Sequence, residues 1–311
     1  MRMKTVLFIV GPTAVGKTAL SLGLARRLGG EIISADSRLF YRGMDIGTAK
    51  PSVAEQTAVS HHLIDICNPD ETVTLGTYQD TVYVLIDELD FPILVGGTGQ
   101  YLRAIVEGWG IPRVPPHPRL RAALEALGGA ELGRWLRVLD GETAVRLDVR
   151  NVRRVVRALE VTLVSGQPMS VLQRKNPPPY RFVIVGLHRN REILYQRIDD
   201  RVDLMMEAGL LAELEQLRAD GYGRKLPSMS GLGYRQLWAY LDGEMTLPEA
   251  IERVKFETHR FARGQYNWFK PDDPTINWFD VDVMSETAVV EAVVKLVRDE
   301  GQGSRGAGEQ G

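Results

Sequence analysis

Eight consecutive residues, Gly11-Pro12-Thr13-Ala14-Val15-Gly16-Lys17-Thr18, fit the spacing G-x-x-x-x-G-K-[ST] of a phosphate-binding loop. Glycines let backbone N–H groups turn inward around an anion, Lys17 adds a mobile positive charge, and the Thr18 hydroxyl suits a Mg²⁺ ligand. The loop recognises a diphosphate or triphosphate and says nothing about what is attached to it. Three further positions could supply the missing chemistry. Asp36 closes the apolar run Ile32-Ile33 and either points at the phosphate site or caps a local turn. Thr98 sits in the turn Gly96-Gly97-Thr98-Gly99, where backbone can approach a ligand closely. Arg197 and Arg201 lie one helical turn apart, either reaching phosphates or pairing with neighbouring acids.

These residues need a scaffold, and the periodicity predicts an α/β one. Val6-Leu7-Phe8-Ile9-Val10 reads as a buried strand feeding the loop, and Leu20, Leu24 and Leu28 mark the helix that follows. Glu31 to Ser37 reads as a second strand and Ile93-Leu94-Val95 as a third. The run Val82 to Glu88 imitates the acidic strand of many ATPases. However, Pro92-Ile93-Leu94-Val95 follows too soon for a parallel crossover, which needs roughly a dozen residues. Tyr78, Val82, Leu85, Ile86 and Leu89 instead share one helical face. The segment is therefore expected to be a helix, and the chain lacks a convincing second ATPase acid. Arg38 to Pro51, with Arg42 and Lys50, is expected to be a loop lining the same cleft.

The chain has 311 residues, 44% of them hydrophobic and 25% charged, which fits a globular protein of one large or two ordinary domains. Its single cysteine, Cys67, excludes a disulfide framework, and adjacent His61 and His62 point apart and find no third ligand nearby. The apolar start is too short for a membrane span, so no signal peptide and a cytoplasmic location are expected. Proline-dense breaks at 111–118 and 176–179 bracket helix-period sequence, after which a β run resumes at Phe182. An insertion between strands of one sheet explains this. The expected domains are a core over 1–112 and 180–300, a helical insertion over 113–179, and a disordered Gly-rich tail over 301–311.

Charge separates the insertion from the core. Residues 113–179 carry eleven Arg and one Lys against six acids, a net of +6, leaving −8 for the rest of a chain whose total is −2. In the helix after Asn151, the buried stripe is predicted to be Val152, Val155, Val156, Leu159 and Leu163. Arg153, Arg154 and Arg157 crowd its first turns, where basic residues oppose the helix dipole. They suit either an external anion or a solvated face. A later helix has the stripe Leu194, Ile198, Val202 and Met205, so its methionines are predicted to be core. Ser230 to Gln236 is a Gly-hinged loop, and Thr246-Leu247-Pro248-Glu249 is a capping box. The helix it opens interleaves Arg253, Lys255, His259, Arg260 and Arg263 with Phe256, Phe261, Tyr266 and Trp268. Those aromatics either stack on single-stranded bases or form the buried face.

The assembled set resembles the bacterial tRNA dimethylallyltransferases (tRNA isopentenyltransferases) over nearly the whole chain. The resemblance rests on GPTAVGKT at 11–18, ISADS at 33–37, YRGMDIGTAKP at 41–51 and HHLID at 61–65. ILVGGTGQY at 93–101, RRVVRALEV at 153–161 and GYRQLWAYL at 233–241 complete it. It implies a core like that of P-loop-containing nucleoside-triphosphate hydrolases, with a parallel sheet flanked by helices and an all-helical inserted domain that grips tRNA. It implies transfer of a dimethylallyl group from its diphosphate to N6 of the adenosine 3′-adjacent to the anticodon. In that reaction Gly11 to Thr18 holds the diphosphate with Lys17, Thr18 holds Mg²⁺, Asp36 is the general base and Arg201 clamps the diphosphate. The implied tRNA contacts are Asp36, Ser37, Arg38, Leu39, Thr98, Arg121, Arg153, Arg154, Val155, Val156 and Arg157. The implied partners are the anticodon stem-loop of tRNA and dimethylallyl diphosphate. No membrane or protein partner is expected, and a monomer is.

Two departures stand out. Arg38-Leu39 replaces the Met-Gln common in the family, and Gly264 in Arg263-Gly264-Gln265 replaces an expected arginine. Rival classes are a P-loop small-molecule or nucleotide kinase, which needs no basic insertion, and an RNA-binding ATPase, which needs the missing acid.

Overall fold

A computed structural model describes residues 3–299. Six parallel strands form one sheet in the order β3-β2-β4-β1-β5-β6. They are β1 (Lys4–Val10), β2 (Glu31–Ser34), β3 (His61–His62), β4 (Pro92–Val95), β5 (Tyr180–His188) and β6 (Ile276–Asp280). The central strand β1 is fully buried from Val6 to Val10, which is why it reads as an unbroken apolar run rather than an alternating one. It pairs with β4 at Phe8↔Leu94 and with β5 at Phe8↔Ile184. β2 stops at Ser34, so Asp36 lies two residues beyond it rather than inside it.

The helices follow in order. α1 (Lys17–Leu28) leaves the phosphate loop, and α2 (Val53–Ala58) precedes β3. α3 (Leu75–Glu88) contains the run that imitated an ATPase strand. Val82, Ile86 and Leu89 are buried there, as helical spacing predicts. α4 (Gly99–Val106) follows β4. Five helices come next: α5 (Pro118–Glu125), α6 (Gly129–Leu139), α7 (Gly141–Arg146), α8 (Val152–Ser165) and α9 (Met169–Leu172). After β5 come α10 (Arg191–Glu207), α11 (Leu210–Ala219), α12 (Tyr234–Leu241) and α13 (Leu247–Gln265); α14 (Glu286–Asp299) follows β6. Among the described residues, no helix is long and apolar enough to cross a membrane.

The chain divides into two compact units. One holds the residues up to Thr74, Asp80–Leu102 and everything from Pro179 on; the other holds Leu75–Gln79 and Arg103–Pro178. The division runs through α3 and α4, so it begins ten residues earlier than the proline break suggested. In the first unit, α1 and α14 cover one face of the sheet. Leu20 and Leu24 meet Leu7, Ile9, Leu187, Val289 and Val293 there. The second unit has its own core of Leu124, Leu132, Leu136, Val155, Val156, Ala158 and Leu159. Each buried Leu or Val among them contributes about 1.5–3 kcal/mol by leaving water.

Two expectations need correcting here, and a third is untested. Leu163 is 42% exposed and does not extend the buried stripe of α8, which ends its apolar contact near Val161. Met205 and Met206 are half-buried rather than core, because the α10 stripe turns outward after Val202. The tail expected over 301–311 lies outside the described residues.

Candidate active site

The phosphate loop is built from backbone conformations that its sequence allows. Gly11 (φ 142), Ala14 (φ 62) and Gly16 (φ 116) take positive φ, the alternation that turns successive N–H groups toward one concavity. At Gly11 a Cβ would come within 2.6 Å of the Leu187 carbonyl oxygen, so only glycine lets the loop leave β1 beside β5. Gly16 caps α1, and the dipole of that helix points its positive end at the concavity. Pro12 and Val15 are buried beneath it.

Lys17 Nζ donates to the Gly11 and Pro12 carbonyls at 3.0 and 2.7 Å, which holds the ammonium over the loop. Burial lowers its pKa to about 8, against the pull of Asp36 and with the push of Arg201. Arg197 Nε donates to the Ala14 carbonyl at 3.0 Å, and Arg201 Nη1 reaches Thr13 Oγ1 at 3.5 Å. The one-turn spacing on α10 therefore places both guanidinium groups on the loop, rather than on neighbouring acids. Burial lowers the Arg201 pKa, Asp36 raises it and Arg197 lowers it. Arg201 makes no ion pair among the described residues.

Asp36 satisfies both readings offered for it. Its Oδ1 accepts the Arg38 amide at 3.0 Å, closing a local turn, and its own amide donates to buried Ser34 Oγ at 3.2 Å. The same carboxylate lines two clefts. The smaller, about 670 Å³, is lined by Gly16, Lys17, Thr18, Leu39 and Lys50. The larger, about 920 Å³, is lined by Arg38, the loop Ser230–Gly233, Arg235, Arg253, Arg260 and Phe261. Thr13, Ala14, Asp36, Thr48 and Arg201 line both, so an acid and a cation stand in the wall the two clefts share.

Thr18 is exposed at the start of α1 and faces the smaller cleft beside Lys17 and Asp36. Among the described residues, no group of three or more His, Cys, Asp or Glu is placed to hold a metal. One hydroxyl and one nearby carboxylate fit Mg²⁺, which keeps several waters and takes other oxygens from a bound phosphate. His61 and His62 are occupied elsewhere, with His61 Nδ1 2.7 Å from the Val59 carbonyl and His62 Nε2 3.0 Å from Glu31 Oε2.

Two residues that no motif reading singled out hold this site together. Glu213 on α11 accepts the amides of Asp45 (2.8 Å), Ile46 (2.7 Å) and Gly47 (3.2 Å), and the Tyr234 hydroxyl at 2.6 Å. The Tyr234 ring lies so close to Gly47 that a Cβ there would come within 2.5 Å of it. One carboxylate thus locks YRGMDIGTAKP to GYRQ, and burial together with Glu213 raises the Tyr234 pKa. Gln265, buried on α13, accepts the Thr13 amide at 2.8 Å and donates to the Gly97 carbonyl at 3.0 Å. It ties the phosphate loop to the turn after β4. The glutamine of Arg263-Gly264-Gln265 was the available signal. Glu213 left none, because an acid on an amphipathic helix looks like any solvated acid.

The remaining predicted contacts are placed as follows. Arg38 donates to the Pro227 and Ser228 carbonyls and to Ser230 Oγ, each at 3.1 Å, so it braces the Gly-hinged loop. Ser37 hydrogen-bonds Tyr101, whose hydroxyl is pushed up to about 12 chiefly by burial. Thr98 immediately precedes α4, its carbonyl accepting the Tyr101 amide at 3.0 Å, and it is not among the residues lining either cleft. Lys50 lines the smaller cleft, but its ammonium is paired with Asp45 and Asp65. In the second unit, Arg121 grips buried Glu160 with two bonds of 2.8 Å, and Arg157 joins at 2.6 Å. Burial pushes the Glu160 carboxyl up, but Arg121, the His117 amide and Arg157 outweigh it and hold it near 2. Val155 and Val156 are 0% and 2% exposed, so they belong to the core of that unit and cannot touch an RNA. Arg153 and Arg154 are exposed, and with Arg146 and Arg157 they line a cavity of about 680 Å³ at the start of α8.

A model of the IPP transferase family matches residues 39–272. A tRNA dimethylallyltransferase from Herpetosiphon aurantiacus is 54% identical over 273 residues, covering 85% of this chain and 87% of that one. The crystal structure of the full-length tRNA isopentenylpyrophosphate transferase of Bacillus halodurans is 38% identical, with a TM-score of 0.72 over 96% of this chain and 97% of that one. A eukaryotic dimethylallyltransferase, seen acting on tRNA, is 25% identical, with a TM-score of 0.82 over 95% of this chain and 80% of that one.

Proposed function

The chain belongs to the IPP transferase family, and we propose that it transfers a dimethylallyl group from dimethylallyl diphosphate to N6 of the adenosine 3′-adjacent to the anticodon of tRNA. One observation carries this reading: Asp36 and Arg201 stand in the wall between a phosphate-loop cleft and a cleft rimmed by arginines. The diphosphate occupies the smaller cleft, and the extruded base enters the larger one.

The roles follow from the chemistry. The allylic C1–O bond breaks with its electron pair going to the diphosphate, and the N6–C1 bond forms. The transition state therefore places growing negative charge on the leaving group, where Lys17, Arg201 and the loop amides stabilise it. Mg²⁺ held by Thr18 would neutralise further charge on the same oxygens. An exocyclic amine is a weak nucleophile, and Asp36 takes the N6 proton as the new bond develops. Gln265 keeps the loop registered to β4 while the charge moves. Arg153 and Arg154 in the first turn of α8 bind phosphates of the same RNA without reading sequence. The enzyme acts in the cytoplasm, as a monomer.

The test incubates the protein with unmodified tRNA and either labelled dimethylallyl diphosphate or labelled ATP. Label entering tRNA from the allylic donor is the expected result. Phosphoryl transfer from ATP to a small acceptor, without prenyl transfer, overturns the reading in favour of a P-loop kinase.

A further inference from the structure

The short turn that precedes the Gly-hinged loop, one turn of 3₁₀ helix over Ser228–Ser230, has two anchors. Ser228 and Met229 are buried, and Ser228 Oγ donates to the Pro69 carbonyl at 2.7 Å. The second anchor is Arg38, on which three oxygens of the turn converge. Its Nη1 donates to the Pro227 and Ser228 carbonyls and its Nη2 to Ser230 Oγ. Carbonyls at the end of a helical turn carry partial negative charge that a cation stabilises, and the planar fork of a guanidinium addresses several acceptors at once.

This use of an arginine differs from its neighbours'. In the same cleft Arg224 pairs with Asp242 and Glu244, and Arg235 and Arg253 pair with Glu257. Arg38 forms no ion pair among the described residues, and its guanidinium is bonded to oxygens of the loop instead. Its main chain has a second task, because the Arg38 amide donates to Asp36 Oδ1 at 3.0 Å. Beyond the turn, Ser230, Gly231, Leu232 and Gly233 line the larger cleft. Two glycines in that short stretch make its position depend on what anchors it.

We propose that Arg38 is a positioning residue for the acceptor: its guanidinium holds the loop 227–233 in place as a wall of the larger cleft, while its amide orients Asp36. The proposal rests on the reading that the larger cleft receives the adenosine, and it replaces the direct tRNA contact implied at this position with one made through the loop. The two tasks separate by substitution. Any residue but proline keeps the amide, so the orientation of Asp36 survives at position 38 whatever the side chain. Only the guanidinium holds the loop.

The test compares the full chain with Arg38→Met in steady-state transfer to unmodified tRNA and, without substrates, in amide hydrogen exchange. An unlatched loop that is in place about a tenth of the time divides the apparent acceptor affinity by about ten. KM for tRNA should therefore rise about tenfold, with kcat and KM for the allylic donor nearly unchanged. In the free protein the amides of residues 229–233 should exchange faster. Gly231→Ala, added to Arg38→Met, should recover part of the lost KM, because alanine narrows the conformations open to a loose loop. Alanine fits there: Gly231 has φ −60, and a Cβ would meet the Ser228 carbonyl oxygen and the Tyr234 ring at 3.4 Å. An unchanged KM for tRNA in Arg38→Met overturns the proposal. So does a raised KM with unaltered exchange and no recovery by Gly231→Ala, which assigns Arg38 to direct contact with the RNA. A fall in kcat at saturating tRNA with KM unchanged also overturns it, by placing the side chain in the chemistry. Prenyl transfer by the wild-type protein is scored first and separately. Its absence overturns the function, and loop exchange together with tRNA affinity in Arg38→Met then still decides the role of Arg38.

Discussion

Arg201 on α10 and Arg157 on α8 are both partly buried arginines that spacing and charge marked for phosphate. Arg201 faces the shared wall of two clefts and makes no ion pair among the described residues. Arg157 donates to Glu160 and to the Val114 carbonyl, and Arg121 grips the same carboxylate. Their surroundings assign opposite work. A desolvated guanidinium with no carboxylate partner stores attraction for an incoming anion. One already bonded to a buried acid holds helices together and has little left for RNA. Charge counts cannot separate the two cases, because the +6 of residues 113–179 includes scaffold and contact arginines alike.

The largest expected effect breaks the active wall. Asp36→Asn removes the proposed base yet keeps the turn to the Arg38 amide, so turnover should fall about 10²- to 10⁴-fold with tRNA affinity nearly intact. Single-turnover transfer and a filter-binding titration separate the two. Unchanged turnover removes Asp36 from its role.

The complementary change attacks the scaffold. Glu160→Gln leaves Arg121 and Arg157 without their buried charge, at a cost of roughly 3 kcal/mol, the lower end for a broken buried pair because both arginines are partly exposed. Denaturant unfolding should show it, with little effect on donor affinity. The Glu160 pKa is depressed to about 2, so its contribution is complete above the ordinary carboxylate value and lost as pH falls toward 2. A stability loss in Glu160→Gln that is the same at pH 7 and pH 2 contradicts the ion-pair account.

Much of this could be read without coordinates, and the reasons differ by residue. Gly11 to Thr18 is legible because its chemistry is local, with the glycines, lysine and threonine all acting within one turn of chain. The helix at Val82–Glu88 is legible because crossover length forbids the strand. Arg121, Arg157, Val155 and Val156 are not, since whether a position contacts RNA depends on Glu160 and on a core that forms only when α5, α6 and α8 pack. Glu213 is illegible for the same reason. Its partners are three backbone amides more than 160 residues away, and no side-chain pattern advertises them.

A smaller effect tests the electrostatics of the wall. In the proposed reaction Lys17 is charged while it holds the diphosphate, and burial lowers its pKa to about 8. The group is protonated below that value, so kcat/KM for the donor should be flat up to about pH 8 and fall about tenfold per unit above it. Asp36 raises the Lys17 pKa, so Asp36→Asn should move this limb to lower pH as well as lowering it. A limb that stays in place in the variant separates the two groups electrostatically and assigns the alkaline loss to another residue.

The smallest effect decides what the second unit's exposed arginines do. Arg153 and Arg154 stand in the first turn of α8, where the helix dipole disfavours them, and neither forms a side-chain ion pair among the described residues. Such a placement persists at a small cost in helix stability, which an external anion would offset. Replacing both with glutamine should weaken tRNA binding modestly and make the salt dependence shallower by about one per arginine, with turnover at saturating tRNA unchanged. The helix itself should become slightly more stable. Arg157→Gln is the internal contrast: it should cost stability through Glu160 and leave the salt slope where it was. If all three substitutions flatten the slope equally, a guanidinium bonded to a buried acid still reaches phosphate, and the distinction between scaffold and contact arginines fails at the residue chosen to represent it.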